Sequence, residues 1–365
     1  MKPIRLLTTF TALALLFASG ILTSQAQSPS SNVTVFATGL NNPRGLTFGP
    51  DGQLYVAEGG MGGTASTAGI CTQVVAPVGP YTGGFTSRIS RIDAQGNRTT
   101  VADHLPSTQT SDANGNSISG VADISFIGRE MFALTAGAGC SHGLVHTNNG
   151  VLQIYPNGAW RMVADLSLFQ KLHPVANPNP PDFEPDGVWY SMVAVAGKLY
   201  AVEPNHGELD AVSLNGEIHR VADVSATQGH IVPTSVAFRD GKFFVGNLGL
   251  FPIVEGSSKI LEITPRGDVR TVVTGLTTVL GVAFDCHGDL YVLENTTGNP
   301  FPTPSTGKVV RVTRDGLEDI ASGLFLPTAM TFGPDGALYV SNVGFGPPPT
   351  GLGQIVRITV PPEHP

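Results

Sequence analysis

Charge is scarce in this 365-residue chain: Asp, Glu, Lys and Arg make up 13%, with 28 acidic against 20 basic side chains and a formal net charge of −8. No Lys/Arg cluster interrupts that acidic balance, which excludes nucleic acid as a partner. Long helical periodicity is missing as well. Beyond Leu22 no apolar run is long enough to span a bilayer. A Gly-x-Ser-x-Gly elbow, a His-Glu-x-x-His pair, a phosphate-cradling loop and a dinucleotide fingerprint are all absent, so a serine hydrolase or nucleotide enzyme is disfavoured. What is plentiful is Gly (45) and Pro (28), the composition of many short strands joined by turns.

Those strands repeat. A strand-turn-strand phrase occurs six times between Asn41 and Phe345, most clearly at 45–58, 281–294 and 329–342, and more weakly around Met131-Phe132, Leu199-Tyr200 and Phe243-Phe244. The anchors at 199, 243, 290 and 338 are 44, 47 and 48 residues apart, the period of four-stranded propeller blades. Each phrase has an alternating apolar strand, a turn such as Pro50-Asp51-Gly52, then a strand rich in Tyr, Val and Phe. One such sheet cannot bury both faces, and stacking copies round an axis solves this. The last copy stops after its third strand, 354–360, while Val33–Leu40 reads like the fourth-strand segments 269–276 and 317–324. The sequence therefore predicts an all-β, six-bladed β-propeller closed by its N-terminal strand. A β-sandwich, or seven blades with one degenerate copy, is the alternative. One helical turn is expected near Leu166–Leu172.

Residues 1–26 read as a cleaved secretory signal: Lys2 and Arg5 precede the apolar run Leu6–Leu22, and Ser24-Gln25-Ala26 supplies small residues for cleavage. An uncleaved anchor is the alternative. The expectation is a secreted or periplasmic protein, residues 27–365 forming one domain, with no transmembrane segment after cleavage and a monomeric state. Of three cysteines, Cys71 and Cys140 fall in loops on one face of neighbouring blades and are expected to form a disulfide; Cys286 falls on the other face as a free thiol.

Loop lengths are lopsided. Segments 59–86, 138–150, 248–257, 295–307 and 344–353, with the inter-blade segments 104–119 and 166–188, all emerge on one face, while the opposite face has tight turns. Function is expected on the long-loop face. The residues ending each second strand are Glu58, Thr135, Glu203, Asn247, Glu294 and Asn342. Converging near the axis, Glu58, Glu203, Asn247, Glu294 and Asn342 would offer oxygen ligands to Ca²⁺ or another divalent cation such as Mg²⁺. Binding channel water and backbone is the alternative role. Glu203, His206 and His230 lie on adjacent segments and form the candidate catalytic group, an acid/base pair beside a carboxylate. His104, His142, Phe183, Trp189 and Tyr190 are candidate rim residues around a pocket for a small organic ligand, the last three in or beside a stiff Pro-rich stretch. Inter-blade packing is the other role open to Trp189.

The segments Leu40–Leu46, Gly49–Gly52, Tyr55–Glu58, Trp189-Tyr190-Ser191, Glu203–Glu208 and Leu276–Glu294 together resemble the ScyD/ScyE family, exported six-bladed propellers related in style to NHL-repeat and streptogramin-lyase-like proteins. The resemblance spans the mature chain; the family takes its name from an association with biosynthesis of an extracellular indole-phenol sunscreen pigment, its members occur far beyond pigment makers, and no catalytic set is carried over. Streptogramin-lyase-like propellers use a metal with His and Glu, but their His-x-Glu-x-His run has no counterpart here. Calcium-dependent six-bladed lactonases resemble the chain through the Glu/Asn positions, without their Asn-Asp pairing. Three functions follow as expectations: binding of a small organic ligand or protein partner on the long-loop face, a metal-assisted lyase or lactone hydrolase, or a protein-interaction platform.

Overall fold

In the computed structural model, which describes residues 27–345 and 351–361, six antiparallel sheets succeed one another along the chain. The expected signal, residues 1–26, lies outside the described residues. Blade 1 comprises Pro43–Phe48, Leu54–Glu58, Thr82–Ile92 and Arg98–Gln109, with a fifth strand, Ile118–Ser119, on its edge. Blades 2 to 5 begin at Val121–Ile127, Ser191–Val195, Pro233–Arg239 and Val279–Phe284. Blade 6 is built from Ala329–Phe332, Leu338–Asn342, Gly353–Ile358 and the N-terminal strand Val33–Leu40.

Ring closure is therefore as read from the sequence. Val33 pairs with Ile358 and Leu40 with Gly353, antiparallel along the whole strand. Asn32 adds to the seam by donating from Nδ2 to the carbonyls of Ile320 and Thr359, both at 3.0 Å. Apolar clusters lie between successive blades. Trp189 is fully buried among Leu134, Leu166, Met192 and Leu199 between blades 2 and 3. Leu293, Val309, Leu338 and Val340 do the same between blades 5 and 6. Small hydroxyls bind one blade to the inner strand of the next: Ser125 Oγ donates to Met192 O, Thr234 Oγ1 to Val279 O, and Ser341 Oγ, from the second strand of blade 6, to Arg44 O.

The recurring phrase has a local physical basis. Asp51 Oδ1 accepts from Gln53 N, Gly52 takes φ +74°, and Tyr55 Oη donates to Asp51 Oδ2 at 3.0 Å. The Tyr55 ring covers Gly49 so closely that a Cβ there would meet it at 2.5 Å. Asp335, Gly336, Tyr339 and Gly333 repeat the arrangement in blade 6. Aspartate closes the turn, glycine permits its left-handed residue, and tyrosine four residues on locks the aspartate in place.

Two details differ from expectation. The end of the expected loop 59–86 and half of 104–119 are strand, because Thr82–Thr86 continues the third strand of blade 1 and pairs with the extended fourth strand as far as Thr82 with Gln109. The pairing is possible because Gly83 packs on the His142 carbonyl, where a Cβ would come within 2.5 Å. A helix occupies Leu166–Leu172 as expected, capped by Asp165, but a second at Val224–Gln228, capped by Asp223, was not anticipated.

Removal of residues 33–40 deprives blade 6 of its outer strand and opens the ring. The truncated protein is expected to melt at least about 10 °C below the parent. Thermal unfolding followed by circular dichroism checks this, and coincident curves would contradict the closure.

Candidate functional site

The ends of the second strands do not form a ligand ring. Each side chain turns to the segment that enters its own blade. Glu58 Oε2 accepts from Asn41 N at 2.6 Å, Glu203 Oε1 from Val188 N at 2.8 Å, Glu294 Oε1 from Thr277 N at 2.5 Å, and Asn342 Oδ1 from Phe325 N at 2.8 Å. Asn247 donates to Ile231 O and accepts from Lys259 N. Thr135 departs from the pattern and bonds both backbone groups of Gly150. Arg88 and Lys308 pair with Glu58 and Glu294 at 2.8 and 3.4 Å, supplying the positive charge a cation would have brought. Among the described residues no group of three or more His, Cys, Asp or Glu side chains is placed to hold a metal ion. The Ca²⁺ or Mg²⁺ expectation does not fit these donors, and no chemical step is derived through a metal.

The candidate catalytic group is divided. Glu203 Oε2 accepts from His206 N and Gly207 N. The His206 ring is buried against Phe183, with centroids 5.2 Å apart, and its Nε2 faces Glu184 O at 3.1 Å. His230 instead meets Asp182, Nε2 to Oδ1 at 3.0 Å. Burial pushes the Asp182 carboxyl up, but the His230 ring and the Asn205 amide outweigh it and hold the carboxyl below its ordinary value.

Most expected rim residues serve beneath the face rather than on it. His142 is fully buried, its Nδ1 at 2.7 Å from Ala138 O and its Nε2 at 3.0 Å from Glu184, whose other oxygen accepts from Tyr81. Asp186 accepts from both N and Oγ of Ser141 and pairs with Lys171. Next to Ser141, the Cys71–Cys140 disulfide, with Cα atoms 6.3 Å apart, joins the loops of blades 1 and 2 as expected. Cys286 is free and exposed. Trp189 is in the core rather than on the rim, because the residue entering an inner strand faces the neighbouring blade. His104 is exposed at φ +55° beside Asp103 and lines no pocket with the others.

Tyr190 crosses the axis. From the start of blade 3 its hydroxyl donates to Thr328 O, at the start of the opposite blade 6, at 2.6 Å. Arg44, buried beside it, donates to Ile118 O. Both precede or open inner strands, so they plug the channel at its long-loop end. Further along the channel Asp123 accepts from Ile124 N and Met192 N, both at 2.8 Å, and occupies the space that a Cβ on Gly45 would fill.

On the long-loop face a cup of about 790 Å³ is assembled from five blades. Blade 1 contributes Val75–Val78 and Asn114, blade 4 Leu250 and Phe251, blade 5 Phe301 and Pro302, and blade 6 Leu326 and Phe345. Pro181, Asp182 and His230, from the segments entering blades 3 and 4, supply one wall. Asp182 is the single carboxylate of the lining, which contains neither Lys nor Arg. Residue reading in isolation missed these aromatics. A usable signal was present: segments 59–86, 295–306 and 344–353 contain no Asp, Glu, Lys or Arg, and 248–257 contains only Glu255. The tight-turn face carries charge instead, including Asp51, Asp93, Arg129, Asp240, Arg266 and Asp335. Phe251 and Phe301 are 47% and 66% exposed, unusual for large apolar side chains on one contiguous face.

No protein-family model matches the chain, and no curated protein does. Its fold is similar to that of solved propellers. A gluconolactonase from Xanthomonas campestris matches at TM-score 0.53 and 10% identity, over 90% of this chain and 89% of that one. A putative oxidoreductase (glucose dehydrogenase) from Thermus thermophilus matches at TM-score 0.55 and 17% identity, over 90% and 99%. A luciferin-regenerating enzyme matches at TM-score 0.51 and 11% identity, over 91% and 95%. These likenesses establish the six-bladed propeller fold and nothing finer.

Burial raises the Asp123 carboxyl to about 7, the two backbone donors offsetting only part of that shift. The folded chain then keeps a proton that the unfolded chain has lost. Stability is lost as pH rises from about 4 through about 7, on the order of 4 kcal/mol for this group alone. Asp123→Asn is therefore expected to gain on the parent as pH rises across that window. Melting temperatures of both proteins from pH 4 to 8 check this, and a difference constant with pH would contradict it.

Proposed function

We propose that this protein is an exported, monomeric propeller whose long-loop face binds a small organic ligand in the apolar cup. The observation that carries the reading is the cup itself: its volume suits a small-molecule site, its walls are mainly aromatic and aliphatic, and four of the loops forming it hold a single charged residue, Glu255, between them. Export is supported by the disulfide, which persists in oxidising compartments, and by the signal-like residues 1–26. No helix among the described residues is long and apolar enough to cross a membrane. A protein partner is the competing occupant of the same face. The Asp182–His230 pair favours one further reading, hydrolysis of an apolar ester or lactone, with His230 taking a proton from water and Asp182 orienting the ring.

An uncharged apolar fluorophore, N-phenyl-1-naphthylamine, tests the cup. Saturable enhancement is expected with the parent, and Phe251→Ala with Phe301→Ala should weaken it at least about tenfold at unchanged melting temperature. Absence of saturable binding, or binding indifferent to both substitutions, would remove the ligand reading. Loss of ester turnover in His230→Ala with fluorophore binding intact would favour the hydrolase.

A further inference from the structure

We infer that the cup selects a ligand with one hydrogen-bond-donating head, an ammonium or a hydroxyl, on an otherwise apolar and uncharged body, the head being received by Asp182. This rests on the proposed ligand-binding function and narrows it. The apolar body follows from Val75, Val78, Leu250, Phe251 and Phe301, which bring no polar side-chain atom to the walls. A polyhydroxylated ligand would lose water at each hydroxyl there and recover few hydrogen bonds. The donor head follows from the one ionisable pair in the lining. Asp182 and His230 face each other at 3.0 Å, with the Asp182 side chain 42% exposed toward the cup and His230 17% exposed. Asn205 donates to the Asp182 carbonyl, and its amide, with the His230 ring, favours the ionised carboxylate.

Charge sets the direction of selection. With no Lys or Arg in the lining, an anionic head would be desolvated beside a carboxylate and meet only the neutral donors Asn114 and Ser117 and His230, which is itself paired with Asp182. An ammonium head would meet a carboxylate in a lining that also holds the aromatic rings of Phe251 and Phe301 and no competing cation. A hydroxyl would donate to the same oxygen acceptor at lower strength. The net negative charge of the chain works in the same direction.

Three probes with one apolar body separate these heads: 1-naphthylmethylamine, 1-naphthalenemethanol and 1-naphthoate, titrated calorimetrically into the purified protein. The amine and alcohol are expected to bind at least about tenfold more tightly than the acid, a difference typical of one charge-assisted hydrogen bond. Asp182→Asn should cost the amine about tenfold and leave the alcohol within about threefold, since the amide oxygen still accepts. His230→Gln, which keeps a polar neighbour for Asp182, should preserve the ranking and serves as a second variant if Asp182→Asn melts early. Naphthoate binding as tightly as the amine, or a ranking unchanged in well-folded Asp182→Asn, overturns the donor-head inference. If N-phenyl-1-naphthylamine binds and none of the three probes does, the cup stands and the donor head falls. If none of the four binds, both fall together.

Discussion

The turn between blades is the constraint on which the ring depends. At four of the six junctions the chain enters a blade through a non-glycine residue of positive φ: Asn42 at 51°, Val232 at 58°, Thr278 at 47° and Leu326 at 44°. For L-residues this region costs about 1–2 kcal/mol each, more for the β-branched Val232 and Thr278. The residue just before each one, Asn41, Ile231, Thr277 or Phe325, is held by the side chain ending the second strand of the same blade. At the blade 3 junction Gly187 takes φ +67° and Glu203 holds Val188 directly after it. Buried carboxylates and amides thus keep strained turns closed; backbone N–H donors, Arg88 and Lys308 offset part of their desolvation, which still raises the Glu294 carboxyl.

With the junctions fixed, the two faces acquire different characters. Tight turns closed by Asp51, Asp285 or Asp335 place charge on one face. On the other, Tyr190 and Arg44 plug the channel, and the buried network around His142, Glu184 and Asp186 supports loops tied by the disulfide. The cup rests on that supported face. Likeness of fold to a gluconolactonase at 10% identity brings no chemistry with it.

Blade number, ring closure, the helix at Leu166–Leu172 and the Cys71–Cys140 bridge were legible in the sequence because each follows from spacing: a period near 47 residues, a strand that completes a motif, two cysteines at equivalent loop positions. The second-strand ends were legible as positions, with cation ligation and backbone binding both open to them. Glu58 and Glu294 have the side chains a cation accepts, but the same oxygens accept backbone N–H groups, and only the geometry of the inter-blade turn separates the two uses. Trp189 and His142 were assigned to the rim by residue type, yet their register places one against blade 2 and the other on Glu184. The cup was illegible because Val75, Phe251 and Phe301 come from loops of unrelated sequence, which only the closed ring brings together; the absence of charge across those loops was the one trace of it.

Thermal melting of the parent, Glu203→Gln and Glu294→Gln, each in EDTA and in Ca²⁺, tests most directly whether these carboxylates serve the turns. The expected result is a melting temperature lowered by several degrees in both variants and equally in the two media, because each substitution weakens a backbone latch worth about 1–3 kcal/mol. A saturable Ca²⁺-dependent rise in the parent that either variant abolishes would contradict it and return these residues to an axial metal site.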